Sequence, residues 1–554
     1  MKQNNQHSVI ASVRAWQSSV YFVGLLLVLI TLFGGFLRFY QLDKYPISLN
    51  WDEVSHGYNA YTILKTGMDE WGIRFPLIFR AFGDYKLPLY IYLTVLPIKL
   101  FGLTPLGVRF ISALAGTLAI PAIYLLAKNL LKSSKLALVV SFLLSISTYH
   151  IFQSRPALEA NLSLTLVIAG FALLTRFNSR KLGLFLGGLL LALSLHTYNS
   201  ARVFVPLMYL FFLVISPKEV RFKHLKSSFI PLLIGLAVVF FQVLDGSALA
   251  RFQKLAIIDD NITFQIGQSR TNSQFPAILS RLIYNRPVYL VSKITTNYLS
   301  IFSADFLYQS KNFQAQFAIP NFPLFPLIFL PFFLVGLFVS NKFILGWLML
   351  SPLAASFTNA PTQALRPNLI IPAIILLTVF GLKHFKKAAY LLFVFLIVFS
   401  LQSLSSFINT YTRDYPTQYS SSWQYGYKET FEYLKGIDNS KNIFMTKRLA
   451  EPHIFYAFYN QLYPNMIFPT SNNIRFMQTN WYWTDKINNF YFINDWKIPN
   501  LTTASSLSLE SGGLIDTNDS ILVTSPDHIP SNLEVLNIIN YPDGKPVIVI
   551  GKFK

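Results

Sequence analysis

The chain contains no cysteine, so disulfide bonds and thiolate metal sites are excluded. Charge is also scarce, because only 13% of the 554 residues are Asp, Glu, Lys or Arg, against about 25% in a typical soluble domain. Hydrophobic residues make up 53% of the sequence. Many of them lie in runs that approach the ~17–25 residues needed to cross a bilayer. The sequence therefore predicts a multi-spanning membrane protein.

Apolar runs predict an all-α polytopic membrane domain of about eleven transmembrane helices over residues 1–407. The first run lies too far from the N-terminus to look like a signal peptide, and no small-residue cleavage site follows it. Two further apolar stretches, 87–102 and 287–302, are predicted to be interfacial helices or elbows, because counting either alone as a crossing would disturb the topology described next. The candidate spans lie near 20–39, 106–131, 136–153, 160–177, 182–198, 203–216, 228–244, 323–339, 343–357, 368–382 and 388–407.

Basic residues between the spans predict the orientation of the chain. The formal net charge of +21 would suggest nucleic acid in a soluble protein. Here the basic loops all fall on one face of the membrane if the N-terminus is cytoplasmic. We therefore interpret these loops as topology signals and expect no nucleic-acid partner. The outer face then collects 40–105, 154–159, 196–202, 245–322, 358–367 and everything after 407. We expect a multi-pass protein of a bacterial or archaeal cell membrane, with its active site on the extracytoplasmic face.

The last 147 residues differ in composition from the rest, since 408–554 hold 13 of the 25 acidic residues. A helical pattern near 428–435 and strand-like runs at 520–524 and 546–551 predict a separate, extracytoplasmic, soluble α/β domain.

Carboxylates in the first half of the chain concentrate in the first outer loop, 40–105, which holds six of the nine acids of residues 1–250. Asp52 and Glu53 are adjacent there, directly after Trp51. Adjacent carboxylates repel and have no nearby basic partner in sequence, so a cation from across the fold, or a metal, should compensate them. The aromatic residues around 51–61 could instead form only an aromatic belt at the interface.

Glu159 lies at the mouth of a span in the stretch SRPALEANLSL. An ionisable residue at such a depth is costly and is a candidate functional residue. The alternative is a local ion pair with Arg155 at i, i+4 spacing.

Other outward turns carry cations and further polar groups. Arginine and lysine there would suit a lipid-linked phosphate, and a neighbouring carboxylate would suit general-base work or metal coordination. Alternatively, Arg202 and Arg366 anchor the helices by reaching the headgroups, and His196 is a satisfied interfacial histidine. These turns contain Asp84 and Lys86 in FGDYKLPLY, His196, Tyr198 and Arg202 in LHTYNSARVFVP, and Arg366 in NAPTQALRPNLIIP.

Four segments in this order resemble the GT-C glycosyltransferases, in particular the group of protein O-mannosyltransferases and aminoarabinose lipid A transferases. They are NWDEVSHGYNAY, FGDYKLPLYIYL, LTPLGVRFISALAGTLAIPAIYLLAKNLL and SRPALEANLSL. The likeness covers residues 20–210 well and the remaining spans loosely. It implies a GT-C fold and transfer of a sugar from a polyprenyl-phosphate carrier to a hydroxyl of a lipid, glycan or protein, at the outer face and with inversion.

The resemblance also implies roles for single residues. Asp52 matches the acidic residue that deprotonates the acceptor hydroxyl, and Glu53 is its neighbour in the Asp-Glu signature, so both, together with Glu159, are predicted catalytic residues. Glu159 matches a second acidic position, where relatives often have Asp. Some members hold a divalent metal between the acidic loops and the phosphate, here at Asp52 and Glu159, whereas others use none. Lys86, Arg202 and Arg366 match donor-phosphate cations, although Asp84-Tyr85 replaces the usual His or Glu before the lysine. Substrate contacts are expected from His56, Tyr58, Asp84, Arg155, His196 and Tyr198.

Two other functions fit a membrane protein with these charges. A transporter or flippase for an anionic lipid-linked substrate would place charged groups and broken helices near mid-bilayer. A non-catalytic scaffold would give no reason for carboxylates and cations to share one face. The charges of this chain gather at the outer helix ends, which favours the transferase.

Overall fold

The structure is a computed structural model that describes residues 2–554 except 84, 177–179, 245–256, 258–261, 311–312, 386–387, 438–440, 471 and 480. For residues 2–20 it describes the backbone alone. A helical region leads into a β-rich C-terminal region. The helices up to residue 409 are α1 (Lys2–Phe39), α2 (Trp51–Thr66), α3 (Pro88–Phe101), α4 (Pro105–Leu131), α5 (Ser134–Ser145), α6 (Thr148–Ser154), α7 (Glu159–Arg176), α8 (Lys181–Leu195), α9 (Asn199–Ile215), α10 (Lys218–Ser227), α11 (Phe229–Leu244), α12 (Ile262–Thr271), α13 (Ala277–Ile283), α14 (Arg286–Ser300), α15 (Phe329–Val339), α16 (Lys342–Leu350), α17 (Leu353–Ser356), α18 (Ile371–His384) and α19 (Ala389–Asn409).

Several of these helices are apolar enough to cross a membrane, which agrees with a membrane location. In the described part of the chain, four are long enough by themselves, and the number rises to seven if each of three bent helix pairs is one span. The pair formed by α5 and α6 bends by 58°, and the pair formed by α15 with 342–356 bends by 119°. Four shorter apolar helices accompany them. The exact count of eleven spans stays a prediction.

A buried arginine fixes the C-terminal end of α1. Arg38, in the last turn of α1, donates hydrogen bonds to the carbonyl of Ser145 at 3.1 Å and to Nδ1 of His150 at 2.7 Å. These partners flank the break between α5 and α6. A buried guanidinium is costly without such partners, so α1 is held against the segment that leads into the outer turn 154–159.

The C-terminal region contains the α/β elements that the sequence predicts. The helical pattern near 428–435 is the helix α21 (Tyr427–Leu434), and the two strand-like runs are β9 (Ile521–Thr524) and β11 (Pro546–Phe553). The other elements are the short ribbon β1 (Phe79–Arg80) and β2 (Tyr85–Lys86) in the first outer loop, α20 (Tyr415–Gln418), β3 (Ile443–Thr446), α22 (Pro452–Tyr459), β4 (Ile474–Gln478), β5 (Trp481–Ile487), β6 (Phe490–Ile493), β7 (Ser506–Ser508), β8 (Leu514–Asp516) and β10 (Leu533–Asn540).

One seven-stranded mixed sheet organises this region, in the order β10-β11-β9-β3-β6-β5-β4. The central strand β3 is parallel to both β6 and β9, and its four residues are buried. A strand covered on both faces is expected to be continuously apolar, as in Ile443-Phe444-Met445.

The first outer loop and the C-terminal region share one hydrophobic core. Val54 and Tyr58 of α2 belong to the same cluster as Phe455 and Phe458 of α22. Gly57 allows the close approach, since a Cβ there would lie 2.5 Å from Cγ2 of Val108 and 2.9 Å from the Phe458 ring. The C-terminal region therefore forms part of the wall around α2.

A buried ion pair also connects the first outer loop to the C-terminal region. Arg475 of β4 donates to the carboxylate of Glu70 at 2.8 Å and to the Glu70 carbonyl at 2.9 Å, while its guanidinium lies 3.6 Å from the centroid of the Trp71 ring. Asn59 of α2 donates to the other oxygen of Glu70 at 3.1 Å. Both charges are almost fully shielded from solvent, so each depends on the other for compensation.

Replacing Glu70 by Gln should destabilise the protein by about 3–5 kcal/mol, because the Arg475 charge would stay buried without its counter-ion. The measurement is the shift in the thermal unfolding midpoint of the purified full-length protein in detergent. The control is Glu432→Gln, which breaks the exposed pair between Lys428 and Glu432 and should cost less than about 1 kcal/mol. Equal shifts for both variants would contradict the docking role of the buried pair.

Candidate active site

The adjacent carboxylates of Asp52 and Glu53 point to different partners. Both lie in the first turn of α2, where the helix dipole favours negative charge. Asn50 caps this helix, because its Oδ1 accepts from the Glu53 N–H at 3.0 Å and its own N–H donates to Glu53 Oε2 at 3.2 Å. This capping box turns the Glu53 side chain back toward the start of the helix.

Glu53 is completely buried and paired with Arg109 of α4. Nε of Arg109 donates to Glu53 Oε1 at 2.8 Å, and Nη2 donates to Oε2 at 3.1 Å. The same carboxylate accepts from the Ala157 N–H at 2.8 Å. Glu53 thereby joins α2, α4 and the turn 154–159. A saturated, buried carboxylate has no capacity left for a substrate, so the predicted catalytic role of Glu53 is corrected to a positioning role.

Arg109 is the residue at this site that the sequence reasoning missed. Its guanidinium also donates to the carbonyls of Leu42 at 3.1 Å and Pro46 at 2.9 Å, so it fixes the segment before α2. The signal was present in the motif PLGVRF, since an arginine inside an apolar span is costly and needs a partner. What the sequence could not show is that the partner lies 56 residues away.

Asp52 forms an ion pair with Lys86, and its carboxylate remains accessible. Lys86 Nζ lies 2.6 Å from Asp52 Oδ1. The Asp52 side chain is 31% exposed, whereas the lysine side chain is 7% exposed. Lys86 is presented by β2, where it stands opposite Phe79 of β1. The expected cation from across the fold is therefore Lys86 for Asp52 and Arg109 for Glu53.

His56 lies one helical turn after Asp52 and is buried. Burial lowers the pKa of its imidazole, and the positive charge of Lys86 lowers it further, while Glu159, Asp52 and Glu53 oppose the shift. A neutral ring is the result at pH 7. Nδ1 of His56 is buried and has no hydrogen-bond partner within the described part of the chain.

Glu159 begins α7 and is largely buried. Its charge acts on His56, which lies close to Asp52 along α2. No hydrogen bond or ion pair joins the Glu159 carboxylate to another described residue. The charges of Asp52, Lys86 and Glu159 therefore all act on the buried His56 ring.

Outer turns from distant parts of the chain meet beside this group. The Asn368 side chain donates to the Ala160 carbonyl at 2.9 Å, and the Ser200 hydroxyl donates to the Arg366 carbonyl at 3.0 Å. The Leu89 N–H donates to the His196 carbonyl at 3.1 Å. Tyr198, Leu158 and Leu365 belong to one small apolar cluster. These contacts bring the turns 154–159, 196–202 and 358–367 together.

The two predicted phosphate-binding arginines contact neighbouring turn residues. Nε of Arg202 donates to the Leu195 carbonyl at 3.0 Å, and its Nη2 donates to the side chain of Gln242. Nη1 of Arg366 donates to Thr358 Oγ1 at 2.7 Å and to the Ala360 carbonyl at 2.9 Å. Their predicted phosphate contacts stay predictions.

Arg155 and Tyr58 make contacts within the protein, and their predicted substrate contacts stay predictions. Arg155 donates to four backbone carbonyls at the end of α1 and after it, and it makes no ion pair with Glu159 among the described residues. The Tyr58 hydroxyl donates to the Leu462 carbonyl at 2.8 Å, which makes it a contact to the C-terminal region. Asp84, a further predicted contact, lies outside the described residues.

The described residues do not fit a metal site. No group of three or more His, Asp or Glu in the described part of the chain could hold a metal ion. The ammonium of Lys86 occupies the side of Asp52 where a cation would bind. The predicted metal pair of Asp52 and Glu159 stays a prediction, and no step below is routed through a metal.

Comparison with known families supports the resemblance drawn from the motifs. Residues 86–244 match the model of a family described as dolichyl-phosphate-mannose-protein mannosyltransferase. The matched segment begins at Lys86 and includes Arg109, Glu159 and Arg202. This match over part of the chain agrees with the resemblance to the GT-C glycosyltransferases. The sequence matches no curated protein sequence.

Three solved structures have low similarity to this chain. ArnT from Cupriavidus metallidurans bound to undecaprenyl phosphate has 11% identity and a TM-score of 0.46, over 96% of this chain and 98% of ArnT. The Archaeoglobus fulgidus oligosaccharyltransferase tethered with an acceptor peptide has 13% identity and a TM-score of 0.47 over 79% of this chain. The match spans 63% of that oligosaccharyltransferase, just under two thirds of its length. The S. cerevisiae Pmt1–Pmt2 complex bound to the sugar donor has 17% identity and a TM-score of 0.31, over 46% of this chain and 37% of that one.

Two neighbouring substitutions should separate the positioning carboxylate from the accessible one. Glu53→Gln leaves the buried Arg109 charge uncompensated and should cost about 3–5 kcal/mol of stability. Asp52→Asn alters a partly exposed ion pair and should cost less than about 1 kcal/mol. Thermal unfolding of the two purified variants measures the difference. A loss for Asp52→Asn as large as that for Glu53→Gln would mean that both carboxylates are structural.

Proposed function

We propose that this protein transfers a sugar from a polyprenyl-phosphate carrier to a hydroxyl of a lipid, glycan or protein acceptor, on the outer face of a bacterial or archaeal cell membrane. The observation that carries the proposal is the ion pair of Asp52 and Lys86, in which a partly exposed carboxylate meets a buried ammonium. A base and a phosphate-binding cation are the two groups that this reaction needs side by side. The matched family is named for a lipid-phosphate sugar donor, which agrees with the proposal.

The reaction proceeds by a single displacement. The acceptor hydroxyl oxygen attacks the anomeric carbon and gives its proton to Asp52 Oδ, while the bond from that carbon to the phosphate oxygen breaks. The electron pair of this bond leaves with the polyprenyl phosphate, and attack from the opposite side inverts the anomeric configuration. Phosphate is already a good leaving group, so orientation, a base and positive charge account for most of the catalysis.

Donor binding also activates the base. Before the donor arrives, the Lys86 ammonium is 2.6 Å from Asp52 Oδ1 and holds that oxygen in an ion pair. The donor phosphate is a competing anion for the same ammonium. As Lys86 turns to the phosphate, this Asp52 oxygen is released to accept the proton, so the base becomes available when the leaving group is in position.

Glu159 and His56 serve the acceptor side of the reaction. The Glu159 carboxylate has no hydrogen-bonding partner among the described residues and can accept a hydrogen bond from a sugar hydroxyl. Neutral His56, with Nδ1 unpartnered in the described part of the chain, can orient a second hydroxyl. Arg202 and Arg366, at the adjoining turns, add positive potential on the phosphate side.

The proposed base predicts a large loss of turnover for one conservative change. Asp52→Asn should lower transfer by at least about 100-fold, because the amide cannot accept the proton. Donor binding should stay equal or tighten, since Lys86 then no longer pairs with a carboxylate at position 52 and can meet the phosphate. Release of undecaprenyl phosphate from a panel of undecaprenyl-phosphate hexoses and pentoses measures turnover by the reconstituted full-length protein.

The control for this experiment is Asp43→Asn, which changes an exposed acid of the same outer loop. It should leave turnover within about twofold of the unsubstituted protein. Undiminished transfer by Asp52→Asn, with the best donor of the panel, would eliminate Asp52 as the base.

The proposed topology has eleven spans with the N-terminus in the cytoplasm and the C-terminal region outside. Because the chain has no cysteine, single-cysteine variants can be labelled without background. Ser511→Cys should react with a membrane-impermeant maleimide on intact cells, whereas Lys223→Cys should react only after permeabilisation. Both positions are exposed in the structure, so a reversed labelling pattern would refute this orientation.

A further inference from the structure

A cleft of about 310 Å³ opens in the C-terminal region beside the start of α2. Its walls include the four indole rings of Trp51, Trp481, Trp483 and Trp496, half of the eight tryptophans in the chain. Trp496 is 72% exposed. A cleft of this size with apolar walls and a few polar groups is typical of a small-molecule site.

The polar groups of the cleft come from the segment between β3 and α22. The Trp481 Nε1–H donates to Glu451 Oε1 at 2.9 Å, while Glu451 Oε2 lies 3.6 Å from His453 Nδ1, beyond hydrogen-bond length. Glu451 lines the cleft, so this second carboxyl oxygen is a candidate partner for a ligand hydroxyl. Ala450 and Glu451 both have left-handed backbone angles, with φ of 65° and 50°, and such strain in non-glycine residues is concentrated at ligand sites.

The cleft is electrically neutral near pH 7. Burial raises the pKa of Glu451 to about 8, so its carboxyl is mostly protonated, and burial holds the pKa of His453 well below its usual range. Lys447 is neutralised by Asp485, with Nζ 2.6 Å from Oδ1. Among the described residues that line the cleft, no unpaired positive charge is therefore available to bind a phosphate.

The cleft adjoins the proposed base. Trp51 lines the cleft and precedes Asp52, so their Cα atoms are about 3.8 Å apart. The Trp51 N–H donates to the Gln424 side chain at 3.2 Å, which fixes the start of α2 against the C-terminal region. A molecule bound on the tryptophans would thus contact the residue that directly precedes Asp52 in the first turn of α2.

We infer that this cleft binds a neutral pyranose unit of the acceptor. A pyranose presents an apolar C–H face and a rim of hydroxyls, which match indole faces and the Glu451 carboxyl respectively. The lack of an uncompensated cation in the described lining disfavours the phosphate-bearing donor. The inference rests on the proposed function and deepens it, since it makes the acceptor a glycan or another sugar-bearing molecule.

The test is binding of free sugars to the purified full-length protein. A panel of methyl pyranosides and their disaccharides is titrated while intrinsic tryptophan fluorescence is recorded. At least one sugar should bind, and Trp496→Ala should weaken that binding by at least about tenfold, whereas Trp496→Phe should recover part of it. Leu514→Ala is the control, because Leu514 is also 72% exposed and does not line the cleft; it should change binding by less than about twofold.

Three results would overturn the inference: no response to any sugar of the panel, equal binding by Trp496→Ala with an unchanged unfolding midpoint, or displacement of the sugar by undecaprenyl phosphate.

A further measurement separates this inference from the proposed reaction. The Asp52→Asn protein should bind the sugar as the unsubstituted chain does. If it binds sugar and still transfers, the proposed base is wrong and the cleft stands; if it is inactive and no sugar binds to either protein, the cleft alone is wrong.

Discussion

The buried ion pair between Glu53 and Arg109 is the contact on which the outer-face architecture depends. It joins the first turn of α2 to α4, and through the Ala157 N–H it also holds the turn that precedes α7. Arg109 extends the network to the segment between α1 and α2. Because both charges are completely shielded, neither tolerates the loss of the other, and the positions of Asp52 and Glu159 follow from this junction.

Two adjacent acids can therefore carry opposite tasks. A helix turns by about 100° per residue, so Glu53 faces inward to Arg109 while Asp52 faces the accessible side and Lys86. The same local rule makes His56 a neighbour of Asp52 one turn later. The first outer loop is thus both the structural junction and the candidate reaction site, and the capping box at Asn50 is the local feature that assigns the two tasks.

The C-terminal region is part of the candidate site and is packed against the first outer loop. It shares a hydrophobic core with α2, it is fastened by the buried pair of Glu70 and Arg475, and it supplies most of the cleft beside Trp51. In the proposed reaction, the acceptor would contact this region and the lipid-linked donor would approach from the bilayer side.

The sequence by itself determined the features that depend on composition and local order: the membrane character, the apolar helices, the β-rich C-terminal region, and the ordered motifs that carry Asp52, Lys86 and Glu159. Helical and strand periods, and the cost of a charge in an apolar run, are local properties. The tertiary structure alone decided the pairings, because Arg109 with Glu53, Arg475 with Glu70, and Arg155 with the end of α1 join residues far apart in the chain. Which charge is neutralised, and which stays accessible for chemistry, is set by the distance between such residues in space, and no local pattern of residues encodes that distance.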